Sequence, residues 1–357
     1  MTAAAPGTPG TADRPRVGWI GLGRIGAPMA ERVRAAGWPM VLWARRGVAS
    51  IAAPGEVAAH LAPGASPQVG WADAAEALAA QCDIVCTVVT GPDDVRALHD
   101  RLMPRARPGT LFIDLSTAAP ATAVASAALA RRHGLLCLDV PVTGGVAGAA
   151  RGTLTGFVGG EPAALERGRA LLGAFAQRLV HCGGPGSGYR TKLVNQTLMA
   201  GALMGLADGA RLAVAAAAAA GAPPAGPGTD AVADAGTDAV ANGGAEVAVA
   251  AGGAPAARAA ALQPALAGGT GASFLLEGYW PRLTGAAAGE PGPVTFTLSL
   301  LHKDLLLARA EAQGLGVPMP LLDAAIAAVA SAIERHGPQA GVQMLAAPAS
   351  ASGRSAA

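Results

Sequence analysis

From residue 16 onward, short apolar runs alternate with longer stretches whose apolar positions recur every three to four residues. The run "RVGWI" passes through a glycine-rich turn into "APMAERVRAAG", which carries helical spacing, and then into a second run, "PMVLWA". Further runs of strand length lie at 83–90, 110–116, 135–142, 154–160 and 177–182. Segments around 73–80, 93–102, 118–133 and 161–174 separate them with helical periodicity. Such alternation predicts a doubly wound parallel sheet with helices on both faces.

After Gly188 the period changes. Only helical stretches follow, at 188–220, 294–313 and 319–336, so an all-α domain is expected over 186–340, after an α/β domain at 15–185. Between the first two helices runs "GTDAVADAGTDAVANGGAEVAVAAGGAPAA", in which Thr229–Gly236 is repeated imperfectly as Thr237–Gly244. It has no apolar side chain larger than Val, too little to offset the entropy of ordering, so 223–258 reads as a disordered insertion. The ends, 1–14 and 341–357, read as disordered tails.

Composition narrows the function. A net charge of +2, 3% aromatic residues and no dense basic run give no support for nucleic-acid binding. The 52% hydrophobic content is largely alanine; "RLAVAAAAAAGA" is short and weakly apolar, so no membrane span is expected. The opening "MTAAAPGTPGTADRPR" lacks the apolar core of a signal peptide. Cys82, Cys86, Cys137 and Cys182 lie in strand-like contexts without metal spacing, which points to free thiols in a reducing cytosol. The histidines, His60 to His336, never pair at metal-ligand spacing, so no metal is expected.

The cofactor signal is "GWIGLGRIGAPMA", where Gly21, Gly23 and Gly26 form G-x-G-x-x-G between a strand and a helix. Glycines there allow a tight turn and close backbone approach, and the helix N-terminus meets a pyrophosphate. An NAD site places an acid about 20 residues on, bonded to the ribose 2′-OH. This chain has Arg45 and Arg46 there, and no acid between Glu31 and Glu56. Paired guanidiniums suit a 2′-phosphate, so NADP is expected, with NAD as the alternative.

Taken in order, "GWIGLGRIGAPMA", "DLSTAAPAT", "LDVPVTGGVAGAARGTLTGFVGG", "GSGYRTKLVNQTLMAGALMGLADG" and "LLHKDLLLARAEAQGLGVPMPL" resemble the β-hydroxyacid dehydrogenases. That group includes 3-hydroxyisobutyrate dehydrogenase and the tartronate, glyoxylate and succinic semialdehyde reductases. The resemblance covers roughly 16–222 and 259–336 and implies a Rossmann domain followed by an all-α domain. It implies that Lys192 is the catalytic general acid/base and that Asn195, one helical step away, orients substrate. The composition sharpens this: the chain holds two lysines, Lys192 and Lys303, against twenty-four arginines. Arginine's pKa is too high for proton transfer, whereas a partly buried lysine can be shifted toward neutrality.

The same resemblance places Ser116 at the substrate and Thr117 at the cofactor. Thr143, Gly144 and Gly145 stand where the family usually has Ser-Gly-Gly, a small anion site for a substrate carboxylate. Lys303 matches a family lysine near the cofactor that closes the cleft from the helical domain. The expected cofactor set is therefore Gly21, Leu22, Gly23, Arg24, Ile25, Gly26, Arg45, Arg46, Val89, Thr90, Thr117 and Lys303. A homodimer or homotetramer acting on a small carboxylate substrate follows from the same likeness. Two other readings stay open: an imine reductase, a group that generally lacks a lysine at the Lys192 position, and a cofactor-binding protein without turnover. Phosphogluconate dehydrogenase, a more distant relative, has a larger helical domain than this chain can supply.

Overall fold

A computed structural model describes residues 14–52, 55–220, 254–285, 294 and 296–347. Its elements begin with β1 (Val17–Ile20), α1 (Gly26–Ala35), β2 (Met40–Trp43), α2 (Gly55–Leu61), β3 (Val69–Trp71), α3 (Ala75–Gln81) and β4 (Ile84–Thr87). There follow α4 (Pro92–Leu102), β5 (Leu111–Asp114), α5 (Pro120–Arg132), β6 (Leu136–Asp139), β7 (Val142–Thr143), α6 (Gly145–Arg151), β8 (Leu154–Gly160), α7 (Pro162–Leu172) and β9 (Ala176–Gly183). The remainder is helical: α8 (Ser187–Ala220), α9 (Pro255–Ala260), α10 (Gln263–Ala267), α11 (Phe274–Leu283), α12 (Leu298–Gly314) and α13 (Pro320–His336). Contacts gather the chain into two compact units, one running to Thr197 and including His302–Pro320, the other made of Leu198–Leu301 and the residues from Leu321 on.

The first unit is built on one sheet, ordered β3-β2-β1-β4-β5-β6-β8-β7, with β9 beside β8. The strands from β3 to β6 are parallel, as the alternating pattern predicts; β8 pairs antiparallel with β6 and β7, a reversal that pattern did not show. Strand β1 is central, so all four of its residues are buried, which explains why its run is apolar throughout. Gly18 is small for a local reason: a Cβ there would sit 2.3 Å from Leu78 of α3. One face of the sheet carries the core of Trp19, Met29, Val33, Leu42, Ile113 and Phe175, and the other that of Ile20, Leu78, Val85, Leu102 and Phe112.

Register places the site. Ile20 lies level with Trp43 and Thr87, and Thr87, Asp114 and Asp139 are level across β4, β5 and β6. The turns after β1, β2, β4 and β5 therefore open on one carboxyl edge, where ligands of such sheets bind.

In the second unit, Trp280 Nε1 donates to Ala259 O at 3.0 Å, Arg258 donates to Ala217 O, and Arg211 donates to Leu345 O at 2.6 Å. Ser273 caps α11 by accepting from Leu276 N at 3.0 Å. Two boundaries read from sequence move. Helix α9 starts at Pro255, inside the stretch assigned to the insertion; the rest of that stretch, to 253, lies outside the described residues. Val342–Ala346, assigned to the C-terminal tail, is a 3₁₀ helix with Val342, Leu345 and Ala346 buried, because the backbone of Leu298 and Thr297 pairs with Ala340 and Gly341 beside it. The sequence pattern also passed over α2, β3, α6, α10 and α11, the last of them ten residues long. Helix α8, at 34 residues with a mean hydropathy of 1.4 in its most apolar window, is long and apolar enough by length and composition to cross a membrane, which the sequence reading did not allow for. Its apolarity is mostly alanine, and its first turns are hydrogen-bonded to the sheet unit.

Candidate active site

The turn after β1 is shaped for an anion. Gly21 has φ 103° and sits so close to β4 that a Cβ would lie 2.0 Å from Val88 O; at Gly26 a Cβ would lie 2.2 Å from Gly21 O. Gly23 differs, because a Cβ there would meet nothing within 4 Å, so its backbone faces open space. Helix α1 begins at Gly26 with Ile25 as its N-cap, no side chain capping it and no acid in its first turn, which leaves its N–H groups and dipole unopposed. Among the described residues, Arg24 Nη1 is buried with no hydrogen-bond partner. An orphan cationic donor beside an uncapped helix start and an open glycine fits a dinucleotide pyrophosphate.

Beside this turn a cleft of about 260 Å³ is lined by Gly21, Leu22, Gly23, Trp43, Ala44, Arg45, Arg46, Val88, Val89, Thr90, Asp94, Ala97, Leu98 and Arg101. The sequence-expected Gly21, Leu22, Gly23, Arg45, Arg46, Val89 and Thr90 thus share one wall system. The Arg45 side chain is 82% exposed and 3.9 Å from Asp94. That carboxylate comes from α4, out of reach of a reading confined to the end of β2.

The carboxyl ends of β4, β5 and β6 are knitted to the start of α8. Asp114 accepts from the hydroxyl of Thr87, from Ser116 N at 2.9 Å and from Tyr189 Oη at 2.6 Å. Asp139 accepts from Gly186 N and Tyr189 N, both at 2.9 Å, and so caps α8. Burial pushes the Asp139 carboxyl up to about 6, against the pull of those two donors. Tyr189 is fully buried, and burial followed by the neighbouring Asp114 charge raises its hydroxyl pKa well above the ordinary value. It is an anchor between sheet and helix. Ser116 is also held: its Oγ accepts from Val89 N at 2.9 Å, tying the β5 turn to the β4 turn.

With α8 fixed this way, Lys192 falls one turn further on and is 7% exposed. Its Nζ donates to Val142 O at 2.9 Å, next to Thr143. Burial lowers its pKa from 10.5 to about 8; the Asp304 charge opposes that fall and the Lys303 charge adds to it. Thr143 lies in the short strand β7, and Gly144 and Gly145, with φ of 125° and 68°, turn the chain into α6. Asn195 Nδ2 donates to Gln196 Oε1 at 3.1 Å, and Gln196 Nε2 donates to Asp304 Oδ2 at 2.6 Å. Lys303, paired with Asp304 at 2.7 Å, donates to Thr117 O at 3.0 Å and runs beside Gly91. Lys303 therefore belongs to the sheet unit by its contacts, since α12 from His302 onward packs there.

Sequence reasoning missed the tie between Asp114 and Tyr189, and the pair Gln196 and Asp304. Asp304 carried a signal, an acid inside the otherwise apolar "DLLLA", and it is 4% exposed. Burial pushes the Cys82 thiol up to about 12 and raises Cys86 and Cys137 further, which keeps these three protonated. Among the described residues no cluster of His, Cys, Asp or Glu is arranged to hold a metal.

An open glycine turn and an uncapped helix start at the carboxyl edge of a parallel sheet define a Rossmann dinucleotide-binding protein, and a buried lysine lies at the same edge. The comparisons agree. A family model described as the NAD binding domain of 6-phosphogluconate dehydrogenase matches residues 16–184, and one described as the NAD-binding of NADP-dependent 3-hydroxyisobutyrate dehydrogenase matches 235–348. The chain belongs to the β-hydroxyacid dehydrogenase family.

Among its relatives, an NAD-dependent L-serine dehydrogenase of Pseudomonas aeruginosa is 38% identical over 203 residues, 56% of this chain and 64% of that protein. A probable 3-hydroxyisobutyrate dehydrogenase of Mycobacterium bovis is 38% identical over 186 residues, 52% and 59%. The chain thus spans less than two thirds of the length of these curated relatives. The solved 3-hydroxyisobutyrate dehydrogenase of Mycobacterium tuberculosis with L-serine is similar at TM-score 0.68 and 27% identity, covering 93% of this chain and 98% of that one. An imine reductase of Myxococcus stipitatus in complex with NADP+, at 17% identity and TM-score 0.52, covers 93% and 98% and shares the fold alone.

Proposed function

We propose that this protein is an NADP-linked oxidoreductase that interconverts a small 3-hydroxy carboxylate and its semialdehyde, with Lys192 as general acid/base. The observation that carries the reading is the buried Lys192 amine, lowered to about 8 and held on a backbone carbonyl rather than on a carboxylate. A group poised there is charged enough to give a proton near neutral pH and neutral enough to take one back. L-serine and 3-hydroxyisobutyrate, the compounds in the relatives' names, are both carboxylates with a hydroxyl on the third carbon. When bound, the reduced nicotinamide supplies the hydride. Lys192 gives its proton to the carbonyl oxygen, Asn195 orients the substrate, and the Thr143, Gly144 and Gly145 turn receives its carboxylate. Gly23 and the start of α1 hold the pyrophosphate, Arg24 offers its unpaired Nη1, and Arg45 and Arg46 take the 2′-phosphate.

Assembly into a dimer or tetramer is part of the same proposal. It is supported in the helical unit by Leu198 and Leu212, each 71% exposed on α8, and by Leu321 at 63%, which packs next to Gly201. Light scattering on the purified chain tests it.

The function is tested by assaying 3-hydroxyisobutyrate and L-serine with NADP+ and NAD+, and glyoxylate, succinic semialdehyde, tartronate semialdehyde and a cyclic imine with NADPH and NADH, using wild type, Lys192→Ala and Lys192→Arg. The expected result is turnover of a hydroxy acid or aldehyde and a loss of about 10²–10⁴ in both variants, since arginine keeps the charge but not the transferable proton. Turnover of the imine alone, or a Lys192→Arg enzyme near wild type, overturns the reading.

A further inference from the structure

Two cations and one anion meet beneath the Lys192 face of α8. Gln196 lies one helical turn beyond Lys192 and is 2% exposed, so its amide must find partners inside the protein. It finds Asn195 on one side and Asp304 on the other, at 3.1 and 2.6 Å. Asp304, itself 4% exposed, has its second oxygen 2.7 Å from Lys303 Nζ, an ion pair without hydrogen-bond geometry. This carboxylate does more than pair with its sequence neighbour, since through Gln196 it is tied to the face of α8 that carries Lys192. The charged groups facing Lys192 are Asp304 and Lys303, both from α12, and they act with opposite sign. From β7 the amine meets only the Val142 carbonyl.

We propose that Asp304 is a positioning residue: its carboxylate keeps Lys192 in the protonated form that a reduction needs and, through Gln196, fixes the amide of Asn195. Burial alone drives Lys192 toward its neutral form, and Lys303 pushes the same way. Asp304 offsets both, and its contact with Lys303 keeps that second cation on Thr117 O. The chain of contacts Asn195–Gln196–Asp304–Lys303–Thr117 joins the substrate-orienting amide to the cofactor side of the edge, so one carboxylate serves both. The catalytic consequence rests on Lys192 being the proton donor; the electrostatic part does not, and the test separates them.

The chain has only two lysines, so protein labelled with ¹³C at the lysine Cε gives two side-chain signals, which Lys303→Met assigns. Their midpoints are followed by NMR against pH in wild type, Asp304→Asn and Lys303→Met. The Lys192 midpoint is expected near 8 in wild type, about one pH unit lower in Asp304→Asn, and higher in Lys303→Met. In the reductive direction at pH 9, kcat of Asp304→Asn should fall about tenfold, with substrate KM changed less than about threefold. A residue that only braces the fold would leave the Lys192 midpoint where it is in wild type. An unshifted or raised midpoint in Asp304→Asn overturns the proposal; if that variant does not fold, a Lys303→Met midpoint that fails to rise does so instead. Opposite shifts in the NMR titration, with Lys192→Ala fully active, would sustain the electrostatic role and sink the function of Lys192.

Discussion

Replacing Lys192 by methionine should make the protein more stable while removing its activity. The ammonium is buried, and its pKa of about 8 against 10.5 in an unfolded chain means that folding must move the charged form out of water at a cost. At about 1.4 kcal/mol per pH unit, that gap costs the native state about 3 kcal/mol at neutral pH. Methionine has a similar length and no charge, so it removes this cost. It also leaves Val142 O without its 2.9 Å donor, which takes back about 1 kcal/mol. The net expectation is a gain of about 2 kcal/mol, read as a higher denaturation midpoint at pH 7.

The sign of the pH dependence follows from the depressed folded value. Below about 8 both folded and unfolded lysine are protonated and the full cost applies. As pH rises from about 8 to 10.5 the folded amine has lost its proton and the unfolded one has not, so the cost fades. The advantage of Lys192→Met should therefore shrink steadily between pH 8 and 10, measured by urea unfolding followed by circular dichroism at each pH. A variant less stable than wild type at pH 7, or an advantage independent of pH, would refute the reasoning.

Tyr189→Phe removes one donor from the buried Asp114 carboxylate and should destabilise the protein by about 1–3 kcal/mol in the same unfolding assay, with kcat retained; a folded variant that has lost turnover would make Tyr189 the proton donor instead. Gly188→Ala puts a Cβ 2.4 Å from Asp139 O and 2.5 Å from Phe157 O, both backbone atoms that cannot step aside, so a loss of about 4 kcal/mol or more and insoluble expression are expected; a soluble, active variant counts against the packing at the start of α8. Arg45→Asp with Arg46→Ser should raise the KM for NADPH about tenfold and leave that for NADH nearly unchanged, both read from initial rates; equal effects on the two cofactors would place both arginines in solvent.

The sequence by itself determined the local elements and the residue types that chemistry requires. Strand length, helical period and the glycine turn are set within a few residues of one another, so β1, the Gly21, Gly23 and Gly26 turn and the start of α1 were legible without coordinates. The rarity of lysine singled out Lys192 for the same reason, since residue choice is a property of composition and not of folding. What only the tertiary structure decided is which of these groups meet. Thr87, Asp114 and Asp139 are separated by 25 residues or more and become neighbours through strand register alone. The tie from Asp114 to Tyr189 spans 75 positions, and that from Gln196 to Asp304 spans 108. The antiparallel turn of β8 and the burial of Val342–Ala346 are likewise outcomes of pairing between distant segments. Burial is the deciding physical quantity: it lowers Lys192 to about 8, and it exists only once sheet and helices have closed around the amine.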